Sequence, residues 1–181
     1  MNSLFRRFQL SLSLFAVFFV ALLTGCGGGG GGTAATTPLP AASTIISGTA
    51  AAGAPVIGFV SVRDSSTNAQ PVKTNIPIQA NGNYSVDVTG LKAPYAFLAS
   101  GTVGGKTVSL YSAATSADVG GTINITPFTD LIIRNVAGTA VDTYLNSPAF
   151  STLTTAQLDA KRVALTTQLT PALTAMGVSS S

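Results

Sequence analysis

Histidine, glutamate and tryptophan are absent from this 181-residue chain, and cysteine occurs once, at Cys26. Without histidine there is no Ser-His-Asp or Cys-His nucleophilic arrangement, and the common zinc constellations cannot form. A single thiol has no intrachain disulfide partner and cannot build a zinc site, although an intermolecular disulfide or a free thiol stays open. The six carboxylates are all aspartates, placed singly, with no DxDxD run and no close pair. Isolated aspartates on strand faces and at helix starts usually serve solvation and capping rather than a carboxylate dyad. Serine with lysine is a conceivable nucleophile and base, but neither SxxK nor GxSxG occurs. No catalytic residue, metal site or cofactor is expected, and the chain is expected not to be an enzyme.

Long apolar runs are equally scarce. The main one extends from Leu10 to Leu23, interrupted by Ser11 and Ser13 and preceded by Arg6 and Arg7. It is short against the roughly 20 apolar residues of a bilayer span, and its layout of basic, apolar and small residues is that of an export signal. A stop-transfer helix would meet basic residues at its far end. Here Thr24, Gly25, Cys26 and six glycines follow. Leu23, Thr24, Gly25 and Cys26 resemble the lipobox of bacterial lipoprotein precursors. That resemblance implies cleavage between Gly25 and Cys26, a diacylglyceryl group on the Cys26 sulfur and an acyl chain on its new amino group. Gly27 in place of aspartate implies sorting to the outer membrane, facing the periplasm or the exterior. Polar Gln9 fits poorly with a twin-arginine signal, so the general secretory route is expected. Residues 26–43, rich in glycine, proline and threonine, form a tether, flexible near the lipid and stiffer around Pro38 and Pro40.

Removing residues 1–25 takes Arg6 and Arg7 with it and leaves seven basic residues against six aspartates. A near-neutral body without a Lys/Arg run has no electrostatic footprint for nucleic acid. About 140 residues remain beyond the tether, enough for one domain and a little more.

From residue 44 the apolar period is two. Val72, Thr74, Ile76 and Ile78 alternate with Lys73, Asn75, Pro77 and Gln79, and Tyr84, Val86 and Val88 alternate with Ser85 and Asp87. Such alternation predicts strands with one buried face. Asn81 and Gly82, between the two runs, suit the positive φ angles of a tight hairpin. Further strands are predicted over Ile45–Ala50, Val56–Arg63, Tyr95–Val103, Thr107–Ser112 and Thr122–Ile125. Seven short strands over 44–126 predict a mainly β fold, an antiparallel seven-stranded sandwich of transthyretin or immunoglobulin type, followed by short α-helices. Gly48, Gly53, Pro55, Val56 and Gly58, then Val60, Val62 and Asp64, with Asn81, Gly82, Asn83 and Tyr84 downstream, resemble the carboxypeptidase regulatory-like domain. That resemblance implies a transthyretin-like, noncatalytic scaffold in which Tyr84 plugs the end of the sandwich. Residues 101–107, GTVGGKT, fall one residue short of a P-loop and are followed by strand-like VSLYS, so a diglycine hairpin is predicted.

Over 127–181 the period becomes helical. Thr126 and Pro127 form a start signal, Phe128, Leu131, Ile132 and Val136 a stripe, and Gly138 a stop. A weaker start at Thr139–Asp142 precedes Val141, Tyr144 and Leu145. Thr154 and Gln157 fit a capping box, with Leu158, Leu165, Leu169, Leu173 and Met176 beyond it and Pro171 expected to kink or divide the helix. This stripe either packs on the preceding elements or opens a second domain.

For binding, Tyr95 and Tyr111 are the candidate aromatic platform for a glycan, against the alternative that each fills an end of the core with its hydroxyl at the rim. Asp118 near Gly120 and Gly121 is too thin a set for calcium, which takes 6 to 8 oxygens. The sequence thus predicts a noncatalytic lipid-anchored envelope protein, bound to membrane lipid through Cys26 and to a protein or glycan of unspecified identity. The alternative is an N-terminal accessory module, carbohydrate-binding in one version, of a larger envelope enzyme whose catalytic part lies beyond Ser181.

Overall fold

Among the described residues, six strands and four α-helices form in the order set by the two periodicities. The computed structural model describes residues 43–66 and 70–177. The signal segment 1–25, the cleavage pair Gly25 and Cys26, the lipid site on Cys26 and nearly all of the tether therefore lie outside the described residues. Among those described, no helix is long and apolar enough to cross a membrane.

The strands are β1 (Ile45–Thr49), β2 (Ile57–Arg63), β3 (Lys73–Pro77), β4 (Asn83–Asp87), β5 (Tyr95–Val103) and β6 (Lys106–Ala114). They form two antiparallel sheets, one of β1 and β4 and the other in the order β3-β2-β5-β6. Ile46, Tyr84 and Val86 from the first sheet and Val60, Val62, Phe97, Ala99 and Leu110 from the second join one buried apolar cluster. This is the one-face burial that the alternating pattern demands.

The seventh expected strand is not a strand. Thr122–Ile125 runs beside β1 through two isolated parallel bridges, Ser47 to Thr122 and Ala50 to Ile125. Between them the Thr49 amide donates to the Asn124 side chain at 3.0 Å, which interrupts a backbone ladder. Gly48 makes the approach possible, because a Cβ there would collide with the Ile123 carbonyl. Tyr84, paired with Gly48 across the β1–β4 ladder, reaches over that glycine, and its hydroxyl donates to Ile123 O at 2.5 Å. Its ring is 2% exposed.

Two expectations about β3 are corrected. Asn75 adopts φ 56°, and the β2–β3 register slips so that Val60 faces Ile76 while Val62 faces Lys73. Asparagine tolerates this left-handed conformation, and the bulge shifts the alternation. Val72 and Thr74 turn to solvent and Lys73 becomes half-buried. The Asn81–Gly82 turn does close, with Gly82 N donating to Gln79 O at 2.7 Å and Gln79 N to Asn83 O at 2.8 Å. Only Gly82 takes a positive φ, however, and the flanking strands leave for different sheets, so the turn is a corner between them. The Gly104–Gly105 turn joins β5 to β6 as a hairpin with both glycines at positive φ.

Helix α1 (Pro127–Ala137) starts at the predicted Thr126 cap, where Thr126 and Thr129 form a capping box by satisfying each other's backbone, and ends at Gly138 with φ 61°. The short α2 (Val141–Leu145) and α3 (Pro148–Ser151) follow, then α4 (Thr155–Ala175) with the Thr154–Gln157 box in place. Tyr144, Phe150 and Leu153 bury against Ala96 on the face of the larger sheet that points away from the main core. Pro171 does not divide α4, which continues to Ala175. The carbonyl it deprives of a partner belongs to exposed Thr167, where water can serve. Of the α4 stripe, Leu165 is buried and Leu158 and Leu173 half-buried, whereas Leu169 is exposed and Met176 is 69% exposed.

Candidate functional site

The second face of the larger sheet is set by strand period and register. With Val60 and Val62 in the core, Ile57, Phe59, Ser61 and Arg63 must project the other way. Cross-strand pairing aligns Ser61 with Leu98 and Leu98 with Tyr111, a row of three on that face. Arg63 lies one row along, opposite Ala96. Helix α2 provides the wall, through Asp142, Leu145 and the following Asn146. The groove between them has a volume of about 250 Å³.

Tyr111 anchors the sheet to the helices on three sides. Its hydroxyl donates to Asp142 Oδ1 at 2.9 Å, its amide donates to Asp130 Oδ1 at 3.0 Å, and its carbonyl accepts from Thr129 Oγ1 at 3.3 Å. The last two bonds satisfy the open edge of β6, which would otherwise expose an unpaired amide and carbonyl. Asp130 also holds Arg134 at 2.6 Å, and the guanidinium carbon lies 6.0 Å from the centre of the Tyr111 ring, within cation–π range. Burial, followed by the hydrogen bond to Asp142, pushes the Tyr111 phenol up to about 12. A phenol held protonated is the reverse of an activated nucleophile.

Charge in the groove is divided. Arg63 is half-buried and makes no ion pair or side-chain hydrogen bond with any described residue, while the described ion pairs are Arg134 with Asp130 and Arg162 with Asp159. Asp142 uses one oxygen for Tyr111, and no described residue bonds the other.

The two tyrosines singled out by sequence are thus placed very differently. Tyr95 is 4% exposed within the main core, its hydroxyl 3.4 Å from Leu91 O, and it presents no platform. Tyr111 is half-buried at the groove with its hydroxyl at the rim. Asp118 is occupied as a cap, accepting from the Thr115 amide at 2.7 Å and its hydroxyl at 2.9 Å. Asp64, from the domain motif, is buried and accepts from the Ser66 hydroxyl and amide and the Lys92 amide, tying the end of β2 to the loop before β5. Burial opposes its charge, but those hydrogen bonds outweigh it and hold the carboxyl below its ordinary 3.8. Among the described residues no three metal-ligating side chains of the His, Cys, Asp or Glu type come together.

Sequence reasoning missed Arg63, Asp142 and Phe59. Phe59 is 53% exposed and Ile57 74% exposed on the groove-side face. The period of two was visible in IGFVSVR, but both alternating sets contain apolar residues, so the pattern alone did not say which faced the core. No protein-family model matches this chain, and comparison with curated proteins and with solved structures likewise gives no match.

Proposed function

We propose that this chain is a noncatalytic, lipid-anchored protein of a bacterial cell envelope, with a transthyretin-like sandwich as a ligand- or partner-binding body. The observation that carries the reading is the order Leu23, Thr24, Gly25, Cys26 at the end of a short apolar run, with glycines and no basic residues beyond. Each acyl CH₂ buried in a bilayer contributes roughly 0.8 kcal/mol, and two or more chains anchor stably where one does not. The described body supports the reading, with two sheets around one core and a groove between the larger sheet and the helices.

The test is Cys26→Ser, followed by membrane fractionation and intact mass of the detergent-extracted protein. The native chain is expected in the outer-membrane fraction, cut before Cys26 and carrying the mass of its acyl chains. The variant is expected uncut and without them. Equal processing and equal membrane retention of both would refute the anchor.

A second reading, an accessory module of a larger envelope enzyme, is favoured by the exposed apolar residues Leu169 and Met176, which lie on one side of α4 and its C-terminal end, a surface a further domain would cover. Intact mass distinguishes it, because an extracted polypeptide extending past Ser181 supports this version and one ending there removes it.

A further inference from the structure

Arg63 and Asp142 line the same groove, yet they are not paired with each other, since the described ion pairs within 4.0 Å are elsewhere. Leu98 on the sheet floor and Leu145 on the helix wall line the same groove. From this we propose that the groove binds a small zwitterion with an apolar side chain, an α-amino acid or a short peptide with free termini. The ligand carboxylate bonds the Arg63 guanidinium and its ammonium bonds Asp142. The proposal deepens the reading of the body as a binding module and does not depend on the lipid anchor.

Charge matching selects this class over its neighbours. A guanidinium presents a planar fork of donors suited to a carboxylate, and Arg63 has no described partner for it. Asp142 keeps one oxygen available while the Tyr111 hydroxyl fixes the other, so the acceptor is oriented before a ligand arrives. A simple anion would meet Arg63 but be repelled by Asp142, and a simple cation would have the opposite mismatch. A neutral sugar would desolvate both charges without compensating either, which costs free energy. Size points the same way, because about 250 Å³ lies below the roughly 300–1,000 Å³ of pockets that take drug-sized molecules. Leu98 and Leu145 offer the apolar surface that a side chain of leucine type would cover.

The experiment is calorimetric titration of the full-length, detergent-extracted protein with leucine, leucyl-leucine, N-acetyl-leucine and leucinamide at millimolar concentration. Saturable binding of leucine or of the dipeptide is expected, and which of the two is tighter identifies free amino acid or peptide as the source. N-acetylation of the better ligand and Asp142→Asn should each weaken binding about tenfold or more, as for loss of a charged hydrogen bond. Combined, they should cost little beyond either alone. Leucinamide and Arg63→Gln should behave as the corresponding pair. Asn keeps an acceptor for Tyr111, and the ligand-side changes need no variant to fold. Absence of saturable binding by leucine and the dipeptide, equal affinity for capped and uncapped ligands, or tighter binding of a neutral disaccharide would each overturn the proposal. A failed Cys26→Ser test would remove the anchor while leaving this titration to decide the groove.

Discussion

The backbone amide of Tyr111 donates to the side chain of Asp130 at 3.0 Å, so a carboxylate from the first turn of α1 occupies the open edge of β6. With Thr129 serving the Tyr111 carbonyl, the helix stands in for a further strand at that position. The same contact holds α1 against β6 at Tyr111, a residue that lines the groove.

Asp130→Ala should therefore destabilise the fold by about 1–3 kcal/mol, the cost of leaving a partly buried amide unpaired. Arg134→Ala, which removes only the exposed ion pair on the same aspartate, should cost about 0.5 kcal/mol or less. Urea denaturation of the two variants gives the comparison, and equal losses would refute the edge-capping role.

At Gly48 even a methyl group must displace the Ile123 backbone and the Tyr84 ring. Gly48→Ala is expected to cost about 3 kcal/mol or more, the upper range for overpacking with backbone movement. Gly138→Ala, at a left-handed cap with open space around it, should cost only about 1 kcal/mol. Thermal unfolding followed by circular dichroism ranks them.

Acid should weaken the protein in part through Asp64. Its carboxyl lies below 3.8 when folded and near 3.9 when unfolded, so the unfolded chain takes up protons first. Its contribution is present above about pH 4 and is lost as pH falls through the lower folded value. Asp87, held low by the Thr89 hydroxyl and amide and then by Thr44, acts in the same direction. Asp64→Asn should flatten the fall in stability below about pH 4 without abolishing it, as read from denaturation midpoints across a pH series.

Alkali tests the tyrosines. All four are raised above 10.0, with burial the leading cause in each case. A raised value gives stability that is complete below the unfolded pKa near 10 and lost as pH climbs toward the folded one. Absorbance titration at the phenolate band should show tyrosine ionisation displaced above 10, including a step near 12 that is missing in Tyr111→Phe, with Tyr84 silent until the fold opens.

Much of the fold was legible because it rests on local rules. The Thr126 and Thr154 caps, the Gly138 stop and the Gly104–Gly105 hairpin each require only a few neighbouring residues, and all are present. β3 was misread because its bulge at Asn75 is a property of pairing with β2, not of its own sequence. The seventh strand was overcounted for a similar reason, since whether Thr122–Ile125 forms a ladder depends on the partner that Asn124 finds across the gap. The groove was barely legible at all. Tyr111 was visible as a candidate, but Asp142 comes 31 residues later and meets it only through the tertiary fold.

Sequence by itself determined the chemistry that is excluded, the change of period from two to helical near residue 126, and the lone Cys26 after an apolar run. Those are properties of composition and nearest neighbours, and no folding is needed to establish them. Tertiary structure decided which face of β2 is buried, that Tyr95 goes inward while Tyr111 lines a groove, and that Arg63 and Asp142 line that same groove. The reason is that in β2 and β5 the period of two puts apolar residues on both faces, and only packing against a second sheet on one side and helices on the other chooses between them.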